Sequence, residues 1–288
     1  MYKAILAPLG GGESDFNVLD AALAVARKFD AHIECFHGLM HAGEAASASR
    51  QIPFLVGPAL HEALDFLEER GRRRTAAARE HYSAFCECHE LGPWGGEAAA
   101  GVSVGILESR ERVVDQLLFH IRHHDLTVMA RPAGRDGLPA GLLSRILRES
   151  GQPLLLAPTQ GEGGGFKHPL VCWKDTRETA RAISLAMPLL RKAGQVTLVT
   201  VDDGRASSAA SVDAIMRRLA RQGLRVEEMR ESASGRRTMD VLQDAARDRG
   251  ADYLVMGAGS KGGMSELLFG SCTEDALERG GLPILIAH

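Results

Sequence analysis

KAILAPLGGG (residues 3–12) has a counterpart far along the chain, HPLVCWKDTR (168–177). Each holds a short apolar run, the pattern of a strand buried on both faces. Each run leads through a polar turn into a segment whose apolar residues recur at helical spacing. In the first copy the stripe is Leu19, Ala22, Leu23, Ala26 and Phe29; in the second it is Ile183, Ala186, Leu189, Leu190 and Ala193. Basic pairs close both stripes, Arg27-Lys28 and Arg191-Lys192, where positive charge suits the negative end of a helix dipole. A further apolar run follows each, AHIECFHG (31–38) and QVTLVTVDD (195–203).

The two tails correspond as well. HDLTVMARP (124–132) parallels ADYLVMGAG (251–259), and GQPLLLAP (151–158) parallels GLPILIAH (281–288). Strands alternating with helices specify a parallel sheet with right-handed crossovers. The expected class is therefore α/β: two tandem open parallel five-stranded sheets flanked by helices. The expected units are residues 1–158 and 167–288, joined by the Gly-rich linker TQGEGGGF (159–166). The first copy is longer, with an insertion at about 40–78 read as helices and a surface loop.

Composition bounds the function. Apolar residues make up 45% and charged residues 25%, so a real core is available, while aromatics are scarce at 5%. The net charge of −3 and pI near 6.4 give no general attraction to nucleic acid or anionic membrane. Five Cys at scattered positions do not suggest a disulfide framework. The opening MYKAILAPLGGG is too short an apolar run for a signal peptide, and no stretch is apolar enough to span a membrane. The expected location is cytoplasmic.

The chemistry concentrates in MGAGSKGGMSELLFGS (256–271). Glycines after a strand let backbone amides approach phosphate oxygens, and the following helix, from Ser271, offers its positive end. The bland alternative is a turn with Ser271 and Glu274 as a capping box. The register here is Gly257, two residues, Ser260, nine residues, then Gly270-Ser271. Together with LLFGSCTEDAL, the terminal PILIAH and the duplicated architecture, it resembles the universal stress protein family, and the chain resembles a tandem member. The resemblance implies a fold related to adenine-nucleotide alpha-hydrolase-like domains. It implies ATP, with magnesium, as ligand of the nucleotide-binding members, and pairing of domains through their last strands. Those edges would be LLLAP (154–158) and ILIAH (284–288), giving an intramolecular pseudo-dimer and, between chains, a homodimer.

Carried over residue by residue, the nucleotide-binding set is Lys174, Asp175, Gly257, Ser260, Gly270, Ser271 and Thr273. Two members depart from the family pattern. Ser260 stands for the second glycine, and Lys174 stands where the family has Asp, with Asp175 next to it. The first half departs further: Ala130 replaces the glycine, Pro132 and Pro139 remove amide donors, and Gly10 takes the Asp position. That half is read as structural or as binding something else. The GGGESD turn (10–15) only faintly matches an ATP pyrophosphatase loop.

Other clusters carry weaker signals. Cys86, Cys88, His81 and His89 on one helix lack a partner pair for zinc. RGRRR (70–74) reads as a solvated helix face. No catalytic residues and no metal ligands are assigned, so the sequence points to a stress-response protein that binds an adenine nucleotide in its second half without defined catalysis. The alternatives are a nucleotide-independent dimeric interaction scaffold and, less favoured, an ATPase or pyrophosphatase-type enzyme.

Overall fold

The computed structural model describes residues 1–38, 58–96, 101–109, 113–131, 140–159, 164–204, 207–259, 269–278 and 281–288. Strands β1 (Ala4–Pro8), β2 (His32–Gly38), β3 (Ser103–Ser109), β4 (Leu126–Met129) and β5 (Leu154–Leu156) come from the first half of the chain. Strands β6 (Pro169–Cys172), β7 (Val196–Asp202), β8 (Val226–Ser232), β9 (Tyr253–Gly257) and β10 (Ile284–Ala287) come from the second. The helices are α1 (Ser14–Phe29), α2 (Pro58–His89), α3 (Val113–Arg122), α4 (Ala140–Glu149), α5 (Arg177–Leu190), α6 (Ala209–Arg221), α7 (Thr238–Arg249) and α8 (Ser271–Glu278).

The strand order is β3-β2-β1-β4-β5-β10-β9-β6-β7-β8. Within each half every pairing is parallel. The second half repeats the strand order of the first about the centre of the sheet. The two five-stranded sheets are not separate: β5 and β10 pair antiparallel, with Leu155 opposite Leu285, and make one ten-stranded sheet. An apolar edge left bare would be a template for aggregation, and here each edge covers the other.

Alternation along the strands builds two apolar layers. Ile5, Ile33, Val128, Leu155, Val255 and Leu285 face one layer, packed against α1 and α5. Leu6, Phe36, Met129, Leu154, Leu254 and Ile284 face the other, packed against α3, α4, α7 and α8. Both layers run across the seam. Helix α1 is able to lie close on its layer because its inner face is small, with Ala21, Ala22 and Ala26 fully buried beside Val18 and Leu19. Side-chain bonds also cross between halves, among them the Tyr2 hydroxyl donating to the Leu185 carbonyl at 2.6 Å and Arg181 donating to the Gly151 carbonyl at 2.8 Å.

The described part of the insertion is helical, and its helix continues beyond it. Its amphipathic segment and the later HYSAFCECHE run form one helix, α2, of 32 residues, about 48 Å long at the standard rise. Residues 39–57 lie outside the described set. Only Thr75, Ala78 and Phe85 of α2 are buried, so its second half seats on the sheet while the first projects past it. Four contacts fix the seat. Gly11, at φ +70°, lets the Arg74 backbone come so near that a Cβ would lie 2.1 Å from its carbonyl oxygen. The buried His37 donates from Nδ1 to the Leu9 carbonyl at 2.9 Å and meets Thr75 Oγ1 with Nε2 at 3.1 Å. His81 Nδ1 lies 3.1 Å from the Asp15 carboxylate. Arg79 grips Glu108 on β3 through two bonds of 2.6 and 2.7 Å.

The seam and the helix seats generate two expectations. Leu285→Ala removes a fully buried side chain at the joint and is expected to lower stability by about 2–5 kcal/mol in urea unfolding. Gly257→Ala places a Cβ 2.4 Å from the Thr179 amide nitrogen in the first turn of α5, and is expected to cost about 1–3 kcal/mol in the same measurement.

Candidate functional site

The candidate sites lie at the carboxyl ends of the strands, where α/β sheets in general bind ligands at the point of strand-order reversal. In the second half that point lies between β6 and β9, which are neighbours. The chain leaves β6 through Trp173, whose indole donates to Ser211 Oγ at 3.2 Å. Lys174 and Asp175 follow, and Thr176 caps α5 by accepting from the Thr179 amide at 3.3 Å. Lys174 Nζ is held 2.9 Å from Asp203 beyond β7, and the Asp175 amide donates to Ser207 Oγ at 3.1 Å.

From the other side, β9 ends at Gly257. The first turn of α5 passes directly over it, and this packing accounts for a glycine there without a ligand. Gly259 accepts a bond from the Gly270 amide at 2.8 Å, which draws together the two ends of the glycine loop. Ser260, with 261–268, lies outside the described residues. Helix α8 begins as the Glu274 amide donates to the Gly270 carbonyl at 3.0 Å. The cap position is thus Gly270, and Ser271 is the exposed first residue of the helix rather than the head of a capping box. Thr273 is buried in the same first turn. Burial pushes the neighbouring Cys272 thiol up to about 11; the carboxylate of Asp275 adds to this and the ammonium of Lys174 opposes it. Lys174 therefore stands within electrostatic reach of the head of α8. The structure gathers Lys174, Asp175, Gly257, Gly270, Ser271 and Thr273 at one end of the sheet.

The first half holds a cavity of about 1100 Å³ at its own reversal point, beyond β1 and β4. Its floor is the Gly11–Ser14 turn together with Ala130 and Arg131, and its wall is α2. The position that resemblance assigns to an Asp is Gly10, yet a carboxylate still reaches the turn. Asp15, 2% exposed, accepts from the Gly10 and Gly11 amides at 2.8 Å each.

Arg131 is the residue that sequence reasoning missed. It is 3% exposed, and it donates to the carbonyls of Ala157, Ala276 and Leu282. Burial lowers its guanidinium to about 10, so it stays protonated at neutral pH. Ala276 belongs to the last turn of α8, whose unpaired carbonyls favour a cation. No signal in the sequence marked it, because its three acceptors lie 26, 145 and 151 residues away.

The arginine run is a solvated face, as read, with the Arg72 and Arg73 side chains 71% and 79% exposed, and part of that face borders the cavity. Phe66, Arg70, Arg73, Arg74, Ala77 and His81 all line the cavity. Their spacing of three and four puts them on one helical stripe, which was legible in the sequence had the helix been extended through the insertion. The two histidines of HYSAFCECHE make ring contacts, His81 tilted against Phe16 at 4.5 Å and His89 edge-on to Phe85 at 5.0 Å, while Cys86 packs against the core and Cys88 is exposed. Among the described residues no group of three or more His, Cys, Asp or Glu could hold a metal ion, and no helix is long and apolar enough to cross a membrane.

Comparison with known proteins places this architecture. The sequence model of the universal stress protein family matches residues 165–288. No curated protein matches the chain. A universal stress protein structure from Archaeoglobus fulgidus is similar over 99% of this chain and 97% of its own, at 17% identity and a TM-score of 0.63. Two structures from Pseudomonas aeruginosa also cover 99% of this chain. One, described as a universal stress protein, is covered over 93% at 14% identity and a TM-score of 0.55. The other, of unknown function, is covered over 92% at 15% identity and a TM-score of 0.54. At such identities these likenesses show the fold. Residues 165–288 belong to the universal stress protein family, and the fold of the whole chain is the one seen in its solved members.

Proposed function

We propose that the chain is a tandem universal stress protein, with units at 1–158 and 167–288, that works by binding rather than by catalysis. Its second half takes an adenine nucleotide with magnesium at the carboxyl ends of β6 and β9, and the protein acts in a stress response. The observation that carries this reading is the convergence of Lys174 with the head of α8, where Gly259 and Gly270 are bonded together. A helix start and a lysine side by side favour an anionic ligand. The nucleotide's phosphates would compete with Asp203 for Lys174, because that ion pair is half exposed and weakly held.

A second reading is an interaction scaffold without nucleotide. It is favoured by the packing reason for Gly257 and by the existing partner of Lys174. The β5–β10 joint uses the last-strand edges inside one chain, so a homodimer would need another surface.

Calorimetric titration with MgATP separates the two. Gly270 is a suitable probe, since among the described residues a Cβ there meets only the Gly259 carbonyl, at 3.5 Å. Saturable binding by the natural chain, weakened at least about tenfold by Gly270→Val through blocked backbone approach, is expected. A flat titration at millimolar nucleotide contradicts the nucleotide reading and leaves the scaffold.

A further inference from the structure

All five cysteines are free thiols, and two of them, far apart in the chain, converge on one space in the second half. Cys172 is the last residue of β6, and Cys272 is the second residue of α8. The register that pairs Val171 with Val255 carries on by one residue to set Cys172 beside Met256 on β9. Alternation turns Cys172 to the same side as Leu170, and Met256 to the same side as Leu254. That side is the layer covered by α8. On α8, Cys272 stands four residues before the fully buried Ala276, so both share the inward stripe. The bond from the Gly270 amide to the Gly259 carbonyl at 2.8 Å holds the head of the helix against the residues just beyond β9. Cys172 from the sheet and Cys272 from the helix thus pack against the same apolar layer at the same end of the sheet. The Cys172 thiol is raised by burial and, next, by the charge of a neighbouring Cys272 thiolate, which places the two sulfurs within electrostatic reach.

Both residues keep partial exposure. Cys35, which has Cys86 as its neighbour in the opposite layer, is 0% exposed and out of reach of a dissolved oxidant. The Cys172 thiol donates to the Leu170 carbonyl at 3.8 Å, a weak bond that costs little to break. Cys272 is the more readily ionised of the pair, because the Lys174 ammonium opposes the upward effect of burial and of the Asp275 and Asp203 carboxylates. We propose that Cys172 and Cys272 are an oxidation site, where hydrogen peroxide joins them in a disulfide that ties the end of β6 to the head of α8. The Cys272 thiolate attacks one peroxide oxygen, the O–O bond breaks, and hydroxide leaves as the sulfenic acid forms. The Cys172 sulfur gives up its proton and attacks the Cys272 sulfur, and the S–O bond breaks with loss of a second hydroxide. The two hydroxides take up the two thiol protons, so two thiols are oxidised while one peroxide is reduced to two waters. This chemistry does not depend on whether the crevice takes a nucleotide.

The test is exposure of the reduced full chain to hydrogen peroxide without nucleotide, then proteolysis without reductant and mass spectrometry. The expected product is a peptide pair joining Cys172 to Cys272, lighter by two hydrogens and split by dithiothreitol. The same treatment in urea is expected to give mixed links among the cysteines, because the fold is what selects this pair. Lys174→Gln, at a half-exposed side chain, is expected to slow the linkage at least about twofold, since less of the Cys272 thiol is ionised. Recovery of Cys172 still reduced, of Cys272 as a sulfinic acid, or of either joined to another cysteine in the native chain overturns the proposal. So does a Lys174→Gln chain that links as fast as its parent.

Discussion

The short antiparallel seam between β5 and β10 is the constraint on which the molecule depends. It consists of three register pairs, Ile284 with Leu156, Leu285 with Leu155, and Ile286 with Leu154. So few residues would not hold two domains by backbone bonds alone. The side chains make the seam strong, because alternation sends Leu155 and Leu285 into one apolar layer and the other four into the opposite layer. Helices of both halves close over these layers, and the seam becomes core rather than edge. A chain whose two halves each ended in an unpaired LLL or ILIA strand would carry a template for association.

The seam also sets the two crevices in relation. Because β5 and β10 run antiparallel, the loops of the halves meet near the joint, and Arg131 is able to reach from the end of β4 to carbonyls on both sides. Helix α8 has eight residues. Its first turn heads the second-half crevice, and its last turn supplies a carbonyl to the arginine at the floor of the first-half cavity. The same helix therefore touches both, with its positive end toward one and its negative end toward the guanidinium of the other. The charge of Arg131 is tolerated in the core because backbone carbonyls, including one at a helix end, receive it.

Much of the fold was legible because its signals are local. The apolar runs of KAILAPLGGG and HPLVCWKDTR, the stripes behind them and the matching tails mark strands and helices through periodicity alone. The joining of two sheets into one needed the pairing of residues 154–156 with 284–286, which no local pattern encodes and only the family resemblance suggested. The site was legible in part. The glycine loop's position after β9 follows from its sequence, but the reason for Gly257 is the backbone of Thr179, 78 residues earlier. The arginines of α2 were visible as a run, while their cavity depends on where a 32-residue helix seats. Arg131 was silent because its partners are carbonyl oxygens, which every residue has.

Hydrogen exchange resolved to single amides across residues 154–156 and 284–287 tests the seam most directly. The account predicts that amides pointing into the joint exchange only with global unfolding, as slowly as those of β1 and β6 in the middle of each half. Rapid exchange of those amides, with β1 and β6 still protected, would show two separate sheets with open edges and would contradict it.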